Sequence, residues 1–260
     1  MQKIEIDELG LPSPGLTIIG GRTAMGKTSF MLSIALNMAK QGNPVAIFSL
    51  EISEKQLFIR LLSNICNLPI GEIRYKDELS DSETAQISEA MEKLQRLPLF
   101  IDDTAKLSVT ELRAKAERLV REHGVKMIAI DYLQLMSDGE NSTPRDSDIS
   151  KITHTLKELA NELDISVIAL LLISCKPEDK ICDIQRPGLN DIHKIVSIEQ
   201  DAETICLIHR PEYYVCHQPD NDGDDIRGKA ELIYVKCPNG IGIVDMLFRK
   251  KYLRFENYSL

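Results

Sequence analysis

The chain has 260 residues, of which 43% are hydrophobic, and carries a net charge of −9 at pH 7. This length suits one large α/β domain or two small ones, and the hydrophobic content excludes general disorder. The acidic balance argues against a protein that coats DNA over its whole surface, although a ring or groove binder can concentrate its basic residues on one inner face. Apolar runs fall short of the roughly 18–20 residues of a membrane span. No apolar signal core stands at the N-terminus, so we expect a cytoplasmic protein.

Six cysteines occur in the chain, and no two of them form a CxxC pair. Neither a disulfide framework nor a zinc site is therefore expected. Most of these cysteines should pack as small core residues.

The first half of the chain alternates apolar strand patterns with helical patterns. Strands are predicted at residues 16–20, 45–50, 98–102 and 127–131, and helices at residues 27–41, 53–65, 82–97 and 108–123. Ser108, followed three residues later by Glu111, matches a capping box at the start of the last of these helices. Continuous apolar strands alternating with helices predict a largely parallel sheet covered on both faces, an α/β fold.

The second half continues this alternation and ends in a β-hairpin. A polar loop at 138–148 precedes a helix to Leu163, a strand at 167–172, a second polar loop at 175–187 and a strand at 204–208. An acidic, turn-rich segment at 217–228 is interpreted as a solvated loop. Strands at 229–236 and 241–248 are joined through Asn239-Gly240, a strong hairpin signal. Without a repeat or a Pro/Ser-rich linker, we expect one domain at 15–257, after a lead-in at 1–14 and before a tail at 258–260.

Residues 21–28, GRTAMGKT, match the phosphate-binding pattern G-x-x-x-x-G-K-[ST]. In this pattern the backbone N–H groups surround phosphates at a helix N-terminus, Lys27 reaches the β- and γ-phosphates, and the Thr28 hydroxyl binds Mg²⁺. A chance match is the alternative, but the segment lies between a predicted strand and a predicted helix, as the pattern requires. The predicted ATP-binding residues are Gly21, Arg22, Thr23, Ala24, Met25, Gly26, Lys27, Thr28, Ser29 and Asp131.

Two acidic residues end predicted strands near this loop. Asp131 follows a wholly apolar strand, where a Walker B carboxylate belongs, and with Thr28 it is the predicted Mg²⁺ site. The alternative is an acid that merely closes a strand. Glu51 could activate the attacking water, or it could equally be a first-turn helix acid that interacts with the helix dipole.

Five segments in order carry a resemblance to a known family: GRTAMGKT (21–28), IFSLEIS (47–53), PLFIDD (98–103), IDYLQLM (130–136) and SIEQDAE (197–203). Together they resemble the C-terminal ATPase domain of the bacterial and phage DnaB replicative helicases, from about residue 8 to Asn257. The resemblance implies a RecA-like fold with ATP and Mg²⁺ as cofactors. It assigns Glu51 as the catalytic glutamate, beside Lys27, and Asp131 as the Walker B aspartate.

The same resemblance implies a hexameric ring that moves along single-stranded DNA in replication, with a helicase loader or primase as further partners. A recombinase-like or circadian-type RecA ATPase would share the phosphate loop and Asp131. The segments around Glu51 and at 197–203 argue against that alternative. The family's N-terminal collar domain has no counterpart in the sequence, which leaves open whether the chain is trimmed or natively short.

Three positions depart from the family pattern. The glutamine that senses the γ-phosphate is replaced by Leu172. In the DNA-contacting segment the family's arginine and glutamate are replaced by His193 and Lys194, which we retain as candidate DNA contacts. In the hairpin, Lys236 is kept as a candidate contact to the neighbouring subunit's ATP, but the arginine finger is replaced by Pro238.

Two hypotheses therefore stand. The chain is either a replicative helicase domain that hydrolyses ATP, or a divergent, helicase-derived ATP-binding protein with weak or no helicase activity and a regulatory or accessory role.

Overall fold

The computed structural model describes residues 14–75, 79–136, 146–173, 186–192, 196–214 and 227–258. Its strands are β1 Gly15–Gly21, β2 Val45–Ser49, β3 Leu99–Asp102, β4 Met127–Asp131, β5 Ser166–Leu172, β6 Thr204–His209, β7 Lys229–Lys236, β8 Gly242–Arg249 and β9 Arg254–Asn257. Its helices are α1 Lys27–Lys40, α2 Glu54–Cys66, α3 Ile70–Tyr75, α4 Asp81–Gln95, α5 Val109–His123, α6 Asp146–Leu163 and α7 Val196–Asp201.

These strands form one sheet in the order β3-β2-β4-β5-β1-β6-β7-β8-β9. The pairs from β3 to β6 are parallel, and those from β6 to β9 are antiparallel. Alternate residues of the buried strands, such as Ile18 and Ile19 of β1, belong to two separate hydrophobic clusters. Side chains of α1, α2 and α4 join one cluster, and those of α5 and α6 join the other. The sheet is therefore covered on both faces, and the predicted RecA-like α/β fold with a C-terminal hairpin is confirmed.

The predicted strands and helices agree with the structure to within a few residues. The capping box at Ser108 is present, with Glu111 N–H donating to Ser108 Oγ at 3.2 Å. The predicted loop at 138–148 is too long at its end, because α6 already begins at Asp146. The predicted loops at 175–187 and 217–228 lie largely outside the described residues.

The sequence patterns missed three short elements: α3, α7 and β9. The two helices have six residues each, too few for a hydrophobic period to stand out. Strand β9 has four residues and exists because it pairs with the second half of β8.

Of the cysteines in the described part of the chain, Cys206 is buried in β6, whereas Cys66 and Cys237 are partly exposed. Among the same residues, no helix is both long and apolar enough to cross a membrane.

The SIEQDAE segment has a structural explanation at the end of α7. The Glu203 carboxylate accepts the Leu16 N–H at 2.6 Å, and the Glu203 N–H donates to the Leu16 carbonyl at 3.0 Å. The Asp201 carboxylate accepts the hydroxyl of buried Thr153 at 2.8 Å. These acids therefore fasten α7 to β1 and α6, next to the start of the central strand.

We expect Glu203→Ala to lower the free energy of unfolding by roughly 1–3 kcal/mol, because the N–H of fully buried Leu16 would lose its acceptor. Chemical denaturation measures this change. Glu158→Ala on the exposed surface of α6 is the matched control and should stay within about 0.5 kcal/mol of the parent. Equal losses in the two variants would contradict the structural role of Glu203.

Candidate nucleotide-binding site

The phosphate-binding segment connects β1 to α1 at the carboxyl edge of the sheet. Its turn requires positive φ at two residues, 64° at Ala24 and 93° at Gly26. The Met25 N–H donates to the Arg22 carbonyl at 3.4 Å, and the Phe30 N–H donates to the Gly26 carbonyl at 2.9 Å. Gly26 caps α1 without a side-chain hydrogen bond to the first amides. Those amides and the positive end of the helix dipole can therefore receive an anion.

Lys27, the first residue of α1, folds back over the loop. Its Nζ donates to the Gly21 carbonyl at 2.9 Å and to the Arg22 carbonyl at 3.0 Å. Burial lowers the pKa of Lys27, while the nearby carboxylates of Asp131 and Glu51 act in the opposite direction. The ammonium group is thus held inside the loop, where a phosphate would lie.

Thr28 and Asp131 are brought together from positions 103 residues apart. The Thr28 Oγ1 donates to Asp131 Oδ2 at 2.7 Å, and Asp131 is 1% exposed at the end of β4. Burial raises the pKa of Asp131; the hydrogen bond from Thr28 opposes this rise, and the charge of Glu51 adds to it. A hydroxyl and a carboxylate in contact beside a phosphate site are the oxygen donors that suit Mg²⁺.

Glu51 lies in the turn between β2 and α2. The Leu50 N–H donates to the Asp131 carbonyl at 2.8 Å, and the Ser49 Oγ donates to the Ile52 carbonyl at 2.6 Å. Because α2 begins only at Glu54, Glu51 is not a first-turn helix acid. Its side chain is exposed and lines the same cleft as Lys27 and Asp131.

The cleft has a volume of about 670 Å³ and includes several residues that the sequence patterns did not single out. Arg60 and Gln56 project into it from successive turns of α2. Burial lowers the pKa of Arg60, as does the charge of Arg74, whereas Asp131 and Glu51 raise it. The buried Nε of Arg60 has no hydrogen-bond partner in the described part of the chain. The i, i+4 spacing of two polar side chains after Glu51 is the signal that could have found them.

The far wall of the cleft comes from the antiparallel strands and the turns that follow β6 and β8. It consists of Arg210, Tyr213, Phe248, Lys250 and Leu253. The Arg210 guanidinium carbon lies 4.0 Å from the centre of the Phe248 ring, and Arg210 Nη1 donates to the Ala24 carbonyl at 3.3 Å. This wall joins the phosphate loop to a cationic and aromatic surface.

The sequence pattern of the DnaB-like helicase C terminal domain family matches residues 2–257. The chain belongs to this family. It is 38% identical to a probable replicative DNA helicase of Trieres chinensis over 98% of the chain and 56% of that protein. It is 37% identical to the replicative DNA helicase DnaB of Geobacillus stearothermophilus, over 97% of the chain and 55% of that protein. The chain thus spans about half the length of the curated relatives it matches.

Solved structures share the fold. A DnaB-like replicative helicase, studied with its interactions with primase, gives a TM-score of 0.84 at 29% identity, over 95% of the chain and 58% of that structure. A second solved structure, of an isolated ATPase domain, also superimposes with a TM-score of 0.84, at 30% identity over 95% of the chain and 86% of that structure.

Leu172, which replaces the family's sensor glutamine, ends β5 and lines the cleft. Its backbone is held on both sides by Gln134, whose Nε2 donates to the Leu172 carbonyl at 2.8 Å and whose Oε1 accepts the Leu172 N–H at 3.2 Å. The position of the sensor is therefore preserved, while its side chain offers only apolar surface.

The candidate DNA and neighbour contacts differ in what the structure says of them. His193 and Lys194 lie outside the described residues. Lys236 ends β7, and its Nζ donates to the carbonyls of Glu199 at 2.6 Å and Ala202 at 2.5 Å. In the single chain this ammonium group thus holds the C-terminal end of α7, where a cation is favourable. Pro238 lies in the connection that joins β7 to β8.

The buried Asp131 carboxylate yields a prediction about stability. A carboxyl group whose pKa is raised by folding costs stability above its unfolded pKa of about 3.9, and the cost is complete above its folded pKa. In nucleotide-free protein with a chelator present, we expect Asp131→Asn to raise the free energy of unfolding at pH 7 by on the order of 1 kcal/mol. Denaturation at several pH values should show this gain vanishing near pH ~3, below the unfolded pKa.

Asp102 is the control of opposite sign. Burial alone would raise its pKa, but hydrogen bonds from Lys115 and Thr104 lower the pKa overall. Its ionised form therefore adds stability above the unfolded pKa, and Asp102→Asn should reduce stability at pH 7. If Asp131→Asn also reduced stability at pH 7, the assigned environment of Asp131 would be wrong.

Proposed function

We propose that the chain is the ATPase domain of a replicative DNA helicase, which binds Mg-ATP in the cleft and couples its hydrolysis to movement on single-stranded DNA and unwinding of the duplex. The observation that carries this proposal is the convergence of Lys27, the Thr28–Asp131 pair and Glu51 in one cleft of a DnaB-family fold. Membership in the family supports the reaction, and the cleft supplies the residues for it.

The residues of the cleft have complementary roles in this proposal. The loop amides and Lys27 bind the β- and γ-phosphates, and Glu51 orients the attacking water and accepts its proton. Arg60 adds a positive charge near the γ-phosphate from the side of α2. Thr28 and Asp131 would hold Mg²⁺. When bound, Mg²⁺ neutralises charge on the phosphate oxygens.

The antiparallel wall suits the nucleoside. An adenine ring has two π faces, and an arginine and an aromatic ring are favourable neighbours for such faces. Arg210, Tyr213 and Phe248 line the cleft on that side. We therefore assign the phosphates to the loop and the base to the wall formed by these three residues.

The proposed partners follow from the relatives. The matched proteins are replicative helicases, and one DnaB-like structure is described with primase. We propose single-stranded DNA, other copies of the chain in a hexameric ring, and primase or a helicase loader as partners. His193 and Lys194 are the proposed DNA contacts. For Lys236 to contact a neighbour's ATP, it would have to exchange its bonds to α7 for that contact.

Two substitutions test the ATPase. Lys27→Ala should abolish hydrolysis stimulated by single-stranded DNA, because it removes the cation inside the phosphate loop. Glu51→Gln should keep ATP affinity but reduce kcat by about 10²–10⁴-fold, the usual contribution of a general base. Steady-state phosphate release, with and without single-stranded DNA, measures both effects.

Glu54→Gln, in the first turn of α2, is the matched control for Glu51 and should leave kcat unchanged. ATP binding by the parent protein without turnover under any condition would overturn the motor.

A second candidate function has its own support. Leu172 lines the cleft where the family has a glutamine, and Pro238 stands where it has an arginine. Both changes remove polar groups that would act late in hydrolysis, whereas the residues for nucleotide binding are retained. These observations favour a divergent ATP-binding protein that acts as a regulatory or accessory replication factor.

Restoring the two side chains distinguishes the candidates. If the chain binds ATP but hydrolyses it poorly, Leu172→Gln combined with Pro238→Arg should raise kcat by at least about tenfold, since arginine fingers contribute on the order of 10³–10⁵ in other P-loop enzymes. Ile241→Arg adds a cation at an exposed position of the same hairpin and serves as the control. Efficient turnover by the parent with no gain on restoration would eliminate the accessory candidate.

A further inference from the structure

The phosphate loop rests on a ring from the last strand of the sheet. Phe255 of β9 is 2% exposed, and it lies directly under Gly26. A Cβ atom added to Gly26 would lie 3.1 and 3.2 Å from two atoms of this ring. The glycine is thus required both by its φ of 93° and by the close approach of Phe255. The loop backbone and the ring are in direct contact.

Phe255 is itself held by α1 and β8. Its backbone N–H donates to the Oγ of buried Ser33 at 3.1 Å. Its ring packs edge-on against Phe30, with centroids 5.4 Å apart, and against Phe248 at 4.7 Å. Two of these partners belong to the helix that begins with Lys27. The ring is therefore fixed relative to the start of α1 and supports the loop from beneath.

The preceding residue of β9 holds the other side of the cleft. Arg254 Nη1 donates to the Asn64 carbonyl at 2.9 Å and to Asn67 Oδ1 at 2.7 Å. Asn67 caps the C-terminus of α2 with a left-handed φ of 56°. The Arg254 guanidinium is kept in place by Glu256, whose Oε1 accepts its Nε at 2.8 Å. Arg254 therefore fixes the end of the helix that carries Arg60.

We propose that Arg254 and Phe255 are positioning residues that set the distance between the phosphate loop and α2. Adjacent residues of a strand point to opposite sides, so one short strand can contact both elements. Phe255 acts on the loop and so on nucleotide binding. Arg254 acts through α2 on Arg60, and so on the charge that develops at the γ-phosphate. This inference rests on the proposed function, because it assigns roles within the same nucleotide cleft.

The first arm of the test concerns nucleotide affinity. Phe255→Ala should raise the Kd for a fluorescent ADP analogue with Mg²⁺ about 10–100-fold, because a small displacement of a binding loop is costly. Leu156→Ala, fully buried in the cluster on the other face of the sheet, is the matched cavity control and should leave the Kd unchanged. Phe255→Leu keeps most of the apolar volume and should recover most of the affinity. It also remains informative if Phe255→Ala fails to fold.

The second arm separates ground-state from transition-state binding. Arg254→Ala should keep the Kd for ADP within about twofold but weaken binding of ADP with aluminium fluoride about tenfold, since only that complex mimics the transferring phosphoryl group. Arg254→Lys should recover part of this loss. Arg249 also donates to Glu256, at 3.0 Å, but it does not hold α2, so Arg249→Ala is the control.

The outcomes distinguish the two levels of inference. Failure of the parent protein to bind ADP would overturn the proposed function. If the parent binds ADP, equal Kd values for Phe255→Ala and Leu156→Ala would overturn the role of Phe255. In the same way, equal selectivity for aluminium fluoride in the Arg254→Ala and Arg249→Ala variants would overturn the role of Arg254.

Discussion

The hydrogen bond between Thr28 and Asp131 is the contact on which the candidate site depends. It joins the first turn of the loop helix α1 to the end of β4, two elements that neighbour each other only because the sheet order places β4 and β1 on either side of β5. Parallel strands bring their carboxyl ends to one edge, so the phosphate loop, the Glu51 turn and Asp131 meet there. The pKa of Asp131 is raised by the burial that this meeting imposes. The ionised carboxylate is thus costly to the free protein, and a bound cation would relieve that cost.

The cleft has two walls of different origin. The parallel part of the sheet supplies groups for phosphates and a divalent cation, and the antiparallel strands supply Arg210, Phe248 and the residues beneath the loop. These walls are linked through the contacts of β9, in which Phe255 touches Gly26 and Arg254 reaches the end of α2. The C-terminal strands therefore belong to the nucleotide site rather than being an appendage to the sheet.

The departures from the family concern a different region from this core. Leu172 keeps its place at the cleft through Gln134 but has no polar group, and Lys236 is bonded to the carbonyls at the end of α7. The residues for nucleotide binding converge, while those proposed to sense hydrolysis or reach a neighbour are changed or engaged elsewhere. This division is the physical basis of the two candidate functions, and turnover in the presence of single-stranded DNA separates them.

The local patterns of the sequence determined the core strands, the long helices, the phosphate loop and the hairpin. Each depends on interactions within a few residues: apolar periodicity, capping at Ser108, and the glycines of residues 21–28. Only the tertiary structure decided that Glu51 precedes α2 rather than belonging to its first turn, that Arg60 faces the cleft, and that Phe255 lies under Gly26. Arg60 resembles any polar residue on an amphipathic helix until the neighbouring carboxylates are in place. Strand β9 is too short to be predicted alone, because its stability comes from pairing with β8 and packing on α1.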